Sequence, residues 1–113
     1  GNLTYFSPAL GACGWTSSDT DAVCAIPHDI FDGAAPRVSS GGNPDRNPLC
    51  GRLIRVTSFL AAAGNTKRQV SVDVMVADRC VDCEANDLDL SLGAFKQIAP
   101  EGSGAVSGKW QWL

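Results

Sequence analysis

The sequence predicts an all-β fold, a small closed β-barrel of about six strands with one short α-helix. Apolar residues alternate at Val70, Val72, Val74 and Val76, which is the two-residue period of a strand with one face on a core. Charged residues make up only 19% of the chain and glycine occurs 12 times in 113 residues, a composition typical of strands joined by turns. Closure into a barrel then removes the exposed edges of the sheet.

Length and charge restrict the classes of function. A chain of 113 residues that is 44% hydrophobic has room for one core, so we expect a single domain over residues 1–113. Its net charge of −3 argues against a nucleic-acid-binding protein, which would show a basic patch. No apolar run is long enough to predict a membrane-spanning helix. No signal peptide is visible, so we expect a secreted protein to be present here in its mature form.

Strands, turns and one helix are predicted to follow each other along the chain, separated by glycine, proline and polar residues. Gly64-Asn65 indicates a hairpin turn before the central strand, Val70–Ala77. Ser91 is a candidate N-cap for the helix. The predicted strands cover 2–7, 22–26, 53–59, 70–77 and 106–113, with a helical turn at 28–31, the helix at 92–98 and a long loop at 32–48.

Five cysteines in so short a chain indicate an oxidising compartment and hence a secreted, extracellular protein. A zinc site is the weaker explanation, because the C-x-x-C at 80–83 has no second close pair and His28 is the single histidine. Two disulfides with one free cysteine explain the count better. Cys24 is expected to be free and buried, because it lies in a short apolar run where a thiol behaves as a small hydrophobe. The other four allow three pairings, among which the sequence does not choose: Cys13, Cys50, Cys80 and Cys83.

Two carboxylates, Asp78 and Asp89, bracket the C-x-x-C turn. Asp78 ends the central strand, and Asp89 lies in segment 86–91, which is predicted to be the start of the helix. Both are candidate ligand-binding groups, because an ionised carboxylate accepts strong hydrogen bonds. The structural alternative is that Asp78 caps a turn and that Asp89 serves the helix N-terminus.

Aromatic side chains offer a second kind of ligand contact. Trp15 and Tyr5 are candidate platforms for stacking on the ring of a ligand. The alternative for Trp15 is a structural role as a plug at the end of the barrel. Trp110 and Trp112 alternate on one face of the last predicted strand, and at least one of them is expected in the core.

Short segments occur in a distinctive order over nearly the whole chain. They are Thr4-Tyr5-Phe6, Gly11-Ala12-Cys13-Gly14, Asn47-Pro48-Leu49-Cys50-Gly51, Val76-Ala77-Asp78-Arg79-Cys80, Cys83, Asp87-Leu88-Asp89-Leu90-Ser91, Ala94-Phe95 and Val106 with Trp110-Gln111-Trp112. This order resembles the double-psi β-barrel proteins of the expansin superfamily. The pattern is most similar to the single-domain fungal loosenins, with rare lipoprotein A-like, barwin-like and bacterial papain-inhibitor proteins more distant.

The resemblance implies a six-stranded double-psi barrel with a polysaccharide-binding groove across one face. It matches Asp89 to the general acid of the related family 45 glycoside hydrolases, Asp78 to the aspartate ending the preceding strand, and Thr4 to the first-strand threonine. Those hydrolases carry a second aspartate, the general base, shortly after the first-strand tyrosine. In this chain Tyr5 is followed by Phe6 and Ser7, so no carboxylate stands there. Expansins often carry an aromatic residue where this chain has Cys80, and their carbohydrate-binding second domain is not expected here.

Together these features predict a non-enzymatic, loosenin-like monomer, without cofactor or metal, that binds and loosens cell-wall polysaccharide such as cellulose, chitin or another β-glucan. The residues expected to bind it are Thr4, Tyr5, Trp15, Asp78 and Asp89. The alternative function is that of a secreted protein-binding module, either an inhibitor of papain-type cysteine proteases or an effector. The disulfide pairing that we expect is Cys13 with Cys83 and Cys50 with Cys80.

Overall fold

The structure of the protein is a computed structural model that describes residues 1–34, 47–61 and 67–113. Strands dominate these residues, with two short α-helices and a short 3-10 helix between them. In chain order the elements are β1 (Asn2–Phe6), β2 (Val23–Pro27), α1 (His28–Gly33), β3 (Leu53–Ala61), β4 (Lys67–Cys80), β5 (Leu88–Ser91), α2 (Leu92–Phe95), the 3-10 helix (Glu101–Ser103), β6 (Ala105–Ser107) and β7 (Lys109–Trp112).

The strands form one sheet in the order β6-β1-β5-β2-β4-β3-β7. Strands β1 and β5 pair in parallel, as do β2 and β4, whereas β2 and β5 pair antiparallel. The two outer strands, β6 and β7, follow each other in the chain, so one segment joins the two ends of the sheet. The all-β prediction is confirmed, but the predicted closure by strand pairing is not present among the described residues, because β6 and β7 at the two ends of the sheet do not pair with each other.

The predicted last strand, 106–113, is two strands that meet at Gly108. Before Gly108 the chain pairs with β1 as strand β6, and after it the chain pairs with β3 as strand β7. A Cβ at Gly108 would lie 2.4 Å from Leu3 Cδ1 and 2.7 Å from the Thr57 carbonyl oxygen, so glycine is required for this crossing. The described residues form seven strands rather than the predicted six or so, because the last predicted strand is divided in two and because Leu88–Ser91, predicted as the start of a helix, is also a strand.

Strand β4 lies at the centre of the sheet, as predicted, because it pairs with β2 on one side and with β3 on the other. Val72, Val74 and Val76 point into the core, while Ser71 and Asp73, which alternate with them, are exposed. Full burial of such a side chain contributes roughly 1.5–3 kcal/mol to folding. The core around them contains Leu3, Ile26, Ile54, Val56, Leu88, Leu90, Phe95 and Ile98, and Trp110 and Trp112 pack against it half-buried.

The prediction that segment 86–91 starts a helix is wrong, because Leu88–Ser91 is strand β5 and Asp89 lies on it. Leu88 and Leu90 are both fully buried, and this two-residue period sets the local structure. Helix α2 covers only Leu92–Phe95, shorter than the predicted 92–98. Ser91 precedes it but makes no side-chain cap; its hydroxyl donates to the Asp21 carbonyl and accepts from the Val23 N–H.

Four cysteines form two disulfides and Cys24 is free and buried, as predicted, but the predicted pairing is wrong. The bonds are Cys13–Cys50 and Cys80–Cys83, with Cα–Cα distances of 5.6 and 5.4 Å. Cys13 donates its backbone N–H to Ala77, and Gly51 donates to Val76, so both partners of the first disulfide are held on the same part of β4. The second disulfide closes a two-residue turn directly after β4.

Two predicted features lie largely or wholly outside the described residues. They are the long loop at 32–48, of which residues 35–46 are not described, and the hairpin turn at Gly64-Asn65. The flanking strands β3 and β4 pair antiparallel as far as Ala61 and Lys67. Across the described ranges, no helix has both the length and the apolar character needed to cross a bilayer.

Candidate functional site

A groove of about 490 Å³ runs across β1, β2, β5 and the end of β4. The Cys80–Cys83 disulfide turn forms one of its walls. Its lining includes four of the five residues that the sequence analysis chose for sugar binding. The lining residues are Asn2, Thr4, Tyr5, Phe6, Ala25, Asp78, Arg79, Cys80, Val81, Asp82, Cys83, Asp87 and Asp89.

The sheet register brings Asp78 and Asp89 to the same groove. Ala25 on β2 is the register partner of Asp78 on β4 and also of Asp89 on β5. Register partners point to the same face of a sheet, so the two carboxylates flank the small Ala25 side chain. Neighbouring strands lie about 4.8 Å apart, and β2 lies between the strands of the two aspartates. The Cα atoms of Asp78 and Asp89 are therefore about two strand spacings apart, or about 10 Å.

Thr4 and Asp89 form a side-chain pair on the floor of the groove. They are register partners on the parallel strands β1 and β5. The Thr4 hydroxyl donates a 2.9 Å hydrogen bond to Asp89 Oδ1. No side chain or backbone N–H of the described residues donates to Asp89 Oδ2. One carboxylate oxygen is therefore held in place while the other is available to a ligand.

The pKa of Asp89 is raised above the ordinary value of 3.8. Burial is the largest cause, since it penalises the charged form, and the nearby charge of Asp78 adds to it. The hydrogen bond from Thr4 acts in the opposite direction and lowers the pKa of Asp89. The groove thus holds a carboxylate whose charge is incompletely solvated, and a hydrogen-bond donor on a ligand replaces the missing water contacts.

Asp78 organises the backbone beside the groove. Its Oδ1 accepts the N–H of Ala12 at 2.9 Å and that of Arg79 at 2.8 Å. It therefore ties the chain around Ala12 to the end of β4, as the structural alternative for this residue expects. The neighbouring Arg79 donates to Asp32 at 2.7 Å, which links the groove wall to helix α1.

Tyr5 lies in the groove, whereas Trp15 does not. The Tyr5 ring packs on Phe95 with a centroid distance of 4.8 Å and an interplanar angle of 48°, so the core supports it from behind. Trp15 is half-buried and packs against the core. Its indole Nε1 is buried and has no hydrogen-bond partner among the described residues. The position of Trp15 corresponds to the structural alternative of a plug.

Sequence reasoning gave no role to Asp82 and Asp87, which also line the groove. Both Asp87 oxygens accept backbone N–H groups, from Asn2 at 2.9 Å and from Glu84 at 3.0 Å, and these bonds lower the pKa of Asp87. Asp87 lies two residues before Asp89 in the sequence, which would place both on the same face of a strand. This spacing becomes informative only once segment 88–91 is known to be a strand. Within the described ranges, no three His, Cys, Asp or Glu side chains are grouped to hold a metal ion.

Comparison with curated proteins finds a relative that matches along the full chain. No family model matches the chain. A papain inhibitor from Streptomyces mobaraensis is 32% identical over 117 aligned residues, which cover all of this chain and 70% of that protein. This chain belongs to the family of that papain inhibitor. The sequence analysis had placed bacterial papain inhibitors among the more distant relatives.

Solved structures with the same fold include a papain inhibitor and an expansin. The structure of a Streptomyces papain inhibitor matches with a TM-score of 0.74 and 28% identity, over 100% of this chain and 91% of that one. A Clavibacter michiganensis expansin in complex with cellohexaose matches with a TM-score of 0.72 and 22% identity, over 100% of this chain and 48% of that one. The expansin-related double-psi β-barrel fold predicted from the sequence is confirmed. The narrower likeness to loosenins stays a prediction.

Proposed function

We propose that this protein binds a β-linked cell-wall polysaccharide, such as cellulose, chitin or another β-glucan, in the groove and loosens its packing without cutting it. The observation that carries the proposal is the Thr4–Asp89 pair, a half-buried carboxylate fixed on one oxygen within an open groove. The two disulfides favour an oxidising environment, which suits a secreted protein.

Loosening requires only competition for the hydrogen bonds between neighbouring glycan chains. A hydrogen bond from a sugar hydroxyl to the Asp89 carboxylate is charge-assisted and contributes about 1.5–3 kcal/mol. Asp78 lies beyond Ala25 on the same face and offers a second acceptor to the same glycan. Tyr5, whose ring packs on Phe95, lines the same groove and is the aromatic residue proposed to contact the sugar.

Hydrolysis with inversion needs a second carboxylate that activates water on the opposite face of the sugar. Asp78 and Asp89 both flank Ala25 on one face, which suits binding better than attack from two sides. Tyr5 is followed by Phe6, the last residue of β1, and by Ser7, and neither of them carries a carboxylate. Asp87 is held by two backbone N–H groups, which occupy both of its oxygens.

A pull-down panel tests this function. Wild-type protein is mixed separately with insoluble cellulose, α-chitin and a β-1,3-glucan. The fraction of protein bound is measured as a function of the amount of each polysaccharide. We expect binding to at least one, with an affinity about tenfold lower for Asp89→Asn, as the loss of one charge-assisted bond predicts. Asp73→Asn is the matched control, because Asp73 is an exposed aspartate on β4 outside the groove. Absence of binding to all three polymers contradicts the proposal.

Inhibition of a papain-type cysteine protease is the second candidate function. It is favoured by the match along the whole chain to a protein described as a papain inhibitor. The test is the hydrolysis of a chromogenic peptide by papain in the presence of increasing wild-type protein. A saturable loss of activity at a fixed stoichiometry supports this function, and full activity at a large excess of the protein refutes it.

A further inference from the structure

Two loops leave the barrel at Asp78. The first loop is segment 9–17, and the second loop is the turn Cys80–Cys83. Asp78 Oδ1 accepts the N–H of Ala12 in the first loop and the N–H of Arg79, the β4 residue directly before the second loop. Gly11 lies so close to the end of β4 that a Cβ there would be 2.3 Å from the Ala77 carbonyl oxygen. The two loops therefore lie at the same end of the barrel.

Each of these loops exposes one large apolar side chain. Leu10 in the first loop is 71% exposed and Val81 in the second is 66% exposed. Among the described residues they are the most exposed of the large hydrophobic side chains. An exposed apolar side chain gives up its water contacts readily when a partner covers it. Two such side chains at one end of a small protein form a candidate interaction surface.

Both loops are held in one conformation by covalent and hydrogen bonds. The first loop contains the Leu10–Thr16 bridge and the hydrogen bonds Gly11 N–H to Trp15 O at 3.2 Å and Ser17 N–H to Ala9 O at 3.0 Å. Cys13 within it is bonded to Cys50. The second loop is closed by its own disulfide. Loops that are already ordered lose little conformational entropy on binding.

We propose that Leu10 and Val81 are a two-point contact that enters the active-site cleft of a papain-type cysteine protease. This inference rests on the second candidate function and names the surface that performs it. Two exposed apolar side chains on separate rigid loops give such a cleft two points of apolar contact, and covering them removes apolar surface from water. The partner is a protease of this class, because this chain matches a papain inhibitor along its full length.

The test is the inhibition constant for papain of the wild type, Leu10→Asp, Val81→Asp and the double variant. We expect each single change to weaken inhibition by at least about tenfold and the double change by about a hundredfold, since a carboxylate replaces an apolar contact in each case. The conservative variants Leu10→Met and Val81→Ile are expected to inhibit as the wild type does. Phe59→Asp is the matched control, because Phe59 is 60% exposed on β3 and away from both loops. Circular dichroism and the thermal midpoint establish that each variant is folded.

The outcomes separate the inference from the function on which it rests. If the wild type inhibits papain and the folded double variant inhibits equally well, the two-loop surface is wrong and the inhibitory function stands. If the wild type leaves papain fully active, both fail. Should an aspartate variant not fold, Leu10→Ser and Val81→Ser replace it, and retained inhibition by both contradicts the inference.

Discussion

Asp89 accepts a 2.9 Å hydrogen bond from Thr4, its register partner on the neighbouring parallel strand. The bond joins β1 and β5, two strands separated by most of the chain, at the floor of the groove. It also partly offsets the two effects that raise the pKa of Asp89, which are burial and the charge of Asp78. The pair therefore links the fold, the charge state and the proposed binding function of one carboxylate.

Thr4→Val removes the hydroxyl and keeps the shape of the side chain. Because the lost hydrogen bond lowers the pKa of Asp89, we expect that pKa to rise above its wild-type value in the variant. An NMR pH titration of the Asp89 carboxyl carbon measures it. Thr57→Val on β3, outside the groove, is the control and is expected to leave the titration unchanged. An unchanged Asp89 titration in Thr4→Val contradicts the assigned hydrogen bond.

Asp89→Asn is expected to increase the free energy of unfolding at pH 7. The pKa of Asp89 is higher in the folded state than the unfolded value of 3.8. The carboxyl group therefore makes its full favourable contribution to the free energy of unfolding below pH 3.8, and this contribution is lost as the pH rises through the folded-state pKa. Asparagine does not ionise, so the variant does not undergo this loss. Urea unfolding at pH 3 and pH 7 checks it: the gain over wild type is expected at pH 7 and not at pH 3. A variant that is less stable than wild type at pH 7 only would contradict the sign.

The two disulfides are expected to stabilise the fold unequally. Cys13–Cys50 spans 37 residues of sequence and Cys80–Cys83 spans 3. The loop-entropy relation then gives about 4 kcal/mol for the first bond and about 2 kcal/mol for the second. Urea unfolding of the Cys13→Ala/Cys50→Ala and Cys80→Ala/Cys83→Ala double variants measures both. Equal losses would show that the Cys80–Cys83 turn does more than close a short loop.

Cys24 is expected to resist alkylation in the native protein. Burial raises the pKa of its thiol far above the ordinary value, and the nearby charge of Asp89 raises it further. The thiolate, which is the reactive form, is therefore absent at neutral pH. Mass spectrometry after iodoacetamide treatment is expected to find no adduct on the native protein and one adduct after unfolding without reductant. An adduct on the native protein contradicts the burial of Cys24.

Local periodicity was enough to predict the centre of the fold. The alternation from Val70 to Val76 identified β4, and the apolar run around Cys24 identified both β2 and the free thiol. The same local signals failed at Asp89, because two alternating leucines in a four-residue strand are a weaker pattern than a serine before a helix. What decides β5 is its pairing with β1, a contact between distant parts of the chain.

Features that depend on contacts distant in sequence were missed for the same reason. The disulfide pairing follows from the attachment of the backbones of Cys13 and of Gly51, the neighbour of Cys50, to one stretch of β4, which spacing does not reveal. The break at Gly108 follows from the approach of Leu3 and Thr57. Trp15 was chosen by residue type alone, and its packing against the core removes it from the groove. The Asp78–Ala25–Asp89 arrangement exists only because β2 lies between β4 and β5.

The most direct test of the account is the loosening of cellulose or chitin fibres by wild type, Asp89→Asn and Asp73→Asn, measured together with released reducing ends. Loosening is followed by the extension of the fibres under constant load. The account predicts loosening by wild type and Asp73→Asn, a large loss in Asp89→Asn, and no reducing ends above background from any of them. Full loosening by Asp89→Asn, or steady release of reducing ends by the wild type, would contradict it.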